Sequence, residues 1–208
     1  MYRIMNKLIL SLVGFLLLPH LSKAQEIVQI PIDIKQSEVK WKGTKMRGLG
    51  SHEGVVQVKK GYFEIKNDEL YGAKVILDMN TITVTDIPEH EPVPRRRLNN
   101  HLKSNDFFSV EEYPEAAFLI TKIVDQNDHQ AIVEGELTIR DVTDTITVSL
   151  DFIKQNSEIK TITSTFEIDR FNWNVGYTGS WVDRTFVDKE IEIRIMLKPD
   201  FDSKIEHK

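Results

Sequence analysis

The sequence predicts an all-β fold: a single extended antiparallel barrel of about eight strands, with a short helical segment near 94–108 covering one end. Three observations predict it. Apolar and polar residues alternate with a period of two along most of the chain. The alternation is one-sided, so each strand carries one apolar and one wet face. It also stops once, from Asp86 to Tyr113, where leucines stand four apart and two phenylalanines adjoin.

The first residues are set aside from the fold. Arg3 and Lys7 precede the apolar run Leu8 to Leu18, Pro19 breaks it, and Leu21-Ser22-Lys23-Ala24 ends in a small-x-small pattern. This is the layout of a secretory signal peptide over residues 1–24, because about 11 apolar residues fall short of the ~20 that span a bilayer. The expected mature chain, 25–208, is one domain exported to the periplasm or secreted, with no transmembrane segment. Losing Arg3, Lys7 and Lys23 takes the 27 basic residues to 24 against 32 acidic ones, a formal charge of −8. An acidic chain has no general pull toward nucleic acid. With no Cys, stability rests on burial and backbone pairing.

The strands follow in order. Val39, Trp41 and Gly43 alternate with Lys40 and Lys42. Val56 and Val58 then give way to Phe63 and Ile65 in the opposite phase, which places a bulge or bend at Lys59-Lys60-Gly61, centred on Gly61. Tyr71, Ala73, Val75, Leu77 and Met79 share one face. Ala131, Val133, Gly135, Leu137 and Ile139 share another, and a turn at Asp141-Val142-Thr143-Asp144 leads to Ile146, Val148, Leu150 and Phe152. Ile191, Ile193, Ile195 and Leu197 close the pattern. A closed barrel leaves no exposed edge, although a two-sheet sandwich would alternate in the same way. Alternation does not decide whether the interior is filled or hollow.

In the interruption, Pro88, Pro92 and Pro94 read as loop, and Leu98 with Leu102 as a short amphipathic helix. Ser104-Asn105-Asp106 offers a cap for a further turn holding Phe107 and Phe108. Tyr113-Pro114 returns the chain to extended form. Both phenylalanines are buried only if this segment packs on a large apolar surface, such as a barrel end.

The segment His101-Leu102-Lys103-Ser104-Asn105-Asp106-Phe107-Phe108, with Tyr113-Pro114 and Phe118, resembles the HLKSxDFF…YPxxxF signature of the YceI-like proteins. Gly135-Glu136-Leu137-Thr138-Ile139 with Val142-Thr143, Asp169-Arg170-Phe171, and upstream Gly48 and His52-Glu53-Gly54 stand in matching order, from about Val39 to Leu197. The resemblance implies a lipocalin-like barrel with an apolar channel for an isoprenoid chain and no catalytic apparatus. The chain departs from the pattern at Asp141, where glycine is usual and an Asp tolerating an unusual backbone angle is expected. Its Pro88–Arg97 loop is also rich in proline and arginine.

The expected channel wall is Val75, Leu77, Met79, Phe118, Ile120, Val148, Leu150, Phe166 and Ile168, with Phe107 and Phe108 as a gate or a static plug. Arg95, Arg96 and Arg97 suit a phosphate head group, or form a solvated charge run. The partner expected is a long-chain isoprenoid or a similar apolar small molecule, with no cofactor. No metal is expected, since Glu89-His90-Glu91 and the remaining histidines reproduce no ligand spacing such as HExxH. His101 is expected to hydrogen-bond the helix to the barrel, and Asp169 and Arg170, facing opposite ways, to serve as structural hydrogen-bonding groups. Two alternatives stay open: an envelope stress-response or interaction module with a filled barrel, and an enzyme using Asp169 or His101. Monomer and dimer are both compatible with the sequence.

Overall fold

The computed structural model describes residues 26–45, 48–176 and 187–203. The expected signal peptide, Tyr177 and His207 lie outside them. Among the described residues, nine strands run in chain order: β1 (Val28–Pro31), β2 (Glu38–Lys45), β3 (Gly50–Lys66), β4 (Glu69–Val84), β5 (Glu115–Gln126), β6 (Gln130–Ile139), β7 (Val142–Gln155), β8 (Glu158–Asp169) and β9 (Val187–Leu197). One helix, α1 (Pro92–Lys103), joins β4 to β5.

Eight of these strands, β2 to β9, close into an antiparallel barrel. Each pairs with its chain neighbour, and β2 pairs with β9 through Val39↔Ile195 and Trp41↔Ile193. Short β1 lies in line with β2 and pairs with the far half of β3. A sandwich is therefore excluded, since the ring has no open side.

Alternation reads most faces correctly. Val133, Leu137, Val148, Leu150, Phe152, Ile191 and Leu197 are buried in one apolar core. Corrections come where the ladder slips. On β3, Val58↔Leu77 is followed by Lys60↔Ile76, so Lys59 is the extra residue of the bulge. Gly61 serves another need: a Cβ there would stand 2.5 Å from the Lys74 carbonyl oxygen. On β4, Gly72 pairs with Glu64 and Leu70 with Ile65, leaving Tyr71 unopposed. Tyr71 is consequently exposed, and Leu70 points inward in its place.

The tight hairpins carry the residues their backbones need. Asn67-Asp68 and Asn156-Ser157 all have positive φ, as a two-residue type I′ connection requires. The turn between β6 and β7 falls at Arg140-Asp141, earlier than expected, and Arg140 carries the left-handed conformation (φ 55°). Asp141 does not take the unusual backbone angle expected of it.

Helix α1 begins at Pro92, not after Pro94, because proline needs no N–H partner in a first turn. It ends at Lys103, and Ser104–Phe108 form turns instead of continuing the helix. Asn99 anchors α1 to the end of β4, its Oδ1 accepting from Val84 N at 2.8 Å and its Nδ2 donating to Thr83 Oγ1. Leu102, Phe107 and Val110 enter the core there. The interruption thus covers one barrel end.

Candidate functional site

Among the described residues, the inward faces border two cavities, each of about 80 Å³. The one deeper in the barrel is lined solely by apolar residues: Val39, Val75, Leu77, Ala116, Ala117, Phe118, Leu137, Val148, Leu150, Phe166, Ile193, Ile195 and Leu197. The second lies toward α1, bordered by Met79, Ile82, Phe108, Ile139, Ile168, Val175 and Ile191, with Lys40, Trp41 and Arg170. Val39, Leu77, Ala116, Leu137 and Ile193 border both. Leu77, Phe118, Phe166, Ile193 and Ile195 point inward yet are only partly buried, as side chains beside a void must be.

Strand register explains why these side chains meet. Val75 pairs with Phe118 and Leu77 with Ala116 across β4 and β5, while Phe118 pairs with Leu137 on β6. Directly opposed residues in a ladder share a face. Gly135 completes the seat of Phe118: a Cβ there would stand 2.4 Å from the ring. Small residues in the wall make room for large ones.

Of the expected wall, Val75, Leu77, Phe118, Val148, Leu150 and Phe166 border the deeper cavity, and Leu77, Met79, Ile168 and Phe108 the upper one. Ile120 and Phe107 are buried without bordering either. The two phenylalanines divide their roles. Phe108 closes the upper cavity, and Phe107 lies edge-on to it at 5.0 Å, beneath the His101 ring.

His101 is exposed, and its ring makes no hydrogen bond among the described residues; it packs on Phe107 at 5.6 Å instead. The expected anchoring bond belongs to Asn99. His52 Nδ1 lies 2.9 Å from Asp86 Oδ2 at the barrel end. Arg95, Arg96 and Arg97 lie on α1 and border neither cavity; Arg95 pairs with Glu89 at 3.3 Å, and Arg96 and Arg97 are exposed.

Arg170 is the one buried cation among the described residues. It opens a 3-10 turn, Arg170–Trp173, and donates to the carbonyls of Val175 (2.8 Å), Val187 and Asp188 (3.2 Å each). The Phe171 ring lies 4.3 Å from its guanidinium carbon. Asp169 faces away, accepting from Phe171 N and pairing with Lys189 at 3.0 Å. The shifted carboxylate nearest the α1 rim is Glu115, held below its ordinary value by the bond from Lys59.

Trp41, Leu137, Ile193 and Ile195 border the cavities but were not among the expected wall residues. All four belong to alternating runs, so the signal was present; choosing among equally apolar faces needs the register.

A larger depression, about 300 Å³, lies at the opposite rim between Val28, Ile30, Ile65, Asn67, Asp68, Glu158 and Phe201. It mixes carboxylates with apolar groups and is the less suited to a hydrocarbon. The interior pair is therefore the candidate site.

Comparison with known proteins bears on the fold and the family. A UPF0312 protein of Vibrio parahaemolyticus is 27% identical over 148 residues, 69% of this chain and 76% of that protein. One from Staphylococcus aureus is 31% identical over 110 residues, 49% of this chain and 61% of its own length. The crystal structure of Burkholderia cenocepacia BcnA superposes with a TM-score of 0.61 at 24% identity, covering 80% of this chain and 98% of that one. A polyisoprenoid binding domain from Saccharophagus degradans, implicated in plant cell wall breakdown, superposes with a TM-score of 0.56 at 12% identity, covering 84% and 99%. The pattern of the YceI-like domain matches residues 31–198, and the chain belongs to that family.

Proposed function

We propose that the barrel interior binds a slender apolar molecule of the isoprenoid class without transforming it, carrying or storing it in the bacterial envelope after export. The observation that carries this reading is the dry wall of the deeper cavity, where every lining residue is apolar. A chain buried there gains about 0.8 kcal/mol per CH2, so length alone supplies affinity. The polyisoprenoid binding domain of Saccharophagus degradans supports it through a shared fold. His101 and Asp169, the groups an enzymatic reading would use, are engaged with Phe107 and with Lys189.

The cavities are small beside the roughly 300–1,000 Å³ of typical small-molecule sites. A long chain enters only when shared wall residues such as Leu77 swing aside and join the two. This favours one second reading, a filled barrel serving as an interaction module. Organic extraction of protein purified without detergent, with native mass spectrometry, separates them. Co-purified isoprenoid, or uptake of one added to the empty protein, upholds the first reading. A barrel that emerges empty and accepts no isoprenoid overturns it.

A further inference from the structure

The outer face of α1 has a use that the barrel does not explain. Leu98, Asn99 and Leu102 turn toward the strands, while Val93, Arg96, Arg97 and Asn100 are exposed. Their spacing of three, four and seven puts these four on one face of the helix. Arg95 is paired with Glu89, but Arg96 and Arg97 form no ion pair among the described residues. Local stability does not call for them. A helix start favours acids, yet the first turn of α1 has none, and three adjacent arginines follow at once.

Apolar groups project beside these charges. Pro92, Val93 and Pro94 are all exposed, Val93 by 46%. Leu49, just before β3, is 83% exposed, the most open of the large apolar side chains described. Lys45 pairs with the next residue, Gly50, and its side chain lies over that glycine. Asn99 ties α1 to Val84, which pairs with Gly54 near the start of β3. Leu49 and the first turn of α1 therefore project at the same barrel end, each an aliphatic group with a cation close by in the chain or the ladder.

The acids of this end are largely engaged. Asp86 meets His52, Glu89 meets Arg95, Glu112 meets Tyr113, and Asp169 meets Lys189. Glu91 stands 4.0 Å from His90. Asp106 and Glu111 follow the C-terminal end of α1, away from the arginines.

We infer that the first turns of α1 and the tip at Leu49 form a docking surface for a bilayer that carries anionic lipid. Arg96 and Arg97 meet lipid phosphates, and Leu49 and Val93 enter the apolar boundary. The chain as a whole is acidic, with 27 basic against 32 acidic residues, so an anionic surface repels its other faces and admits this one. Neither a few cations nor two aliphatic side chains suffice singly; together they give peripheral, reversible binding. The inference is independent of what the barrel holds.

The test sediments the full folded protein with vesicles of phosphatidylcholine alone and of an equal mixture with phosphatidylglycerol. At low salt the protein partitions onto the mixed vesicles and not onto the neutral ones, and added salt releases it. Arg96→Gln with Arg97→Gln lowers that partition about thirtyfold, some fivefold for each exposed charge removed. The chain has no Cys, so Leu49→Cys carries a single environment-sensitive fluorophore, whose emission shifts to the blue on mixed vesicles only. Equal partition onto both vesicles, partition onto neither, no loss in the double variant, or an unshifted label overturns the inference. Retention on a heparin column without vesicle binding also overturns it, and assigns the arginines to a soluble polyanion.

Discussion

Trp173 donates its indole N–H to the main-chain oxygen of Leu137, tying the 3-10 turn after β8 to β6 at the barrel end. Both residues are buried, and Leu137 borders both interior cavities. The bond fixes a wall residue from outside the wall. Trp173→Phe, which keeps most of the ring, is expected to lower stability by about 1–3 kcal/mol, because the accepting oxygen is left dry. Denaturant unfolding measures it, and a change within about 0.5 kcal/mol would show that the bond does not hold the turn.

Arg170→Lys is expected to fail as a conservative change. A lysine cannot reproduce the planar fork that reaches Val175, Val187 and Asp188 together. Leaving even one of those carbonyls unmatched costs about 1–3 kcal/mol. Thermal unfolding of the Lys and Met variants should show both well below the parent, with Lys recovering little.

Gly135→Ala tests how tightly the wall is built. The new methyl meets the Phe118 ring and stands 2.8 Å from the Leu119 oxygen, so it is expected to cost about 1–3 kcal/mol. Phe118→Leu should relieve part of that strain. The double mutant is then less destabilised than the sum of the singles by about 0.5 kcal/mol or more. Strict additivity would mean that ring and methyl do not meet.

Leu150→Trp places bulk where a void exists. Leu150 borders the deeper cavity, so uptake of a long apolar probe should fall severalfold while the overpacking cost stays under about 3 kcal/mol. Unchanged uptake, followed by probe fluorescence, would remove Leu150 from the binding wall.

Lys59, the extra residue of the β3 bulge, pairs with Glu115 at 2.7 Å. The bond holds the Glu115 carboxyl below its ordinary 4.5 and raises the Lys59 ammonium above 10.5. Glu115 has its depressed pKa in the folded state, so its contribution is present above 4.5 and is lost as pH falls through the lowered value. Lys59 works in reverse: its contribution is whole below 10.5 and is lost as pH rises through the raised value. Both groups are exposed, so the effect is small and screened by salt. Glu115→Gln should flatten the acid limb of the melting temperature as pH falls through and below 4.5, more at low salt than at high. An identical acid limb in parent and variant would leave the pair without a role.

Strand faces were legible because alternation is a local property. A Val or Leu every second residue declares its side of the sheet wherever the strand lies. Bulges were not, since one extra residue leaves the composition on either side unchanged. Gly61 attracted the bulge that Lys59 carries, and Tyr71 kept the phase of its run while its backbone stepped out. The start of α1 was hidden by reading Pro92 as a breaker when it is an opener. Trp41 sat in a clean alternating run, and nothing local distinguished its lone N–H from that of Trp173. That difference is made by residues far away in sequence, which bring an oxygen to one indole and, among the described residues, none to the other.

Joining β2 to β9 brings Val39 beside Ile195, 195 − 39 = 156 residues away in sequence. No local turn helps this last seam to form, and loop closure must be met before any of its hydrogen bonds exist. Refolding is therefore expected in the slow range of β topologies, milliseconds to seconds, with two raw strand edges bare until the end. While that slit stands open, the greasy lumen faces the surroundings, and an unfinished barrel has its widest chance to stick to its neighbours.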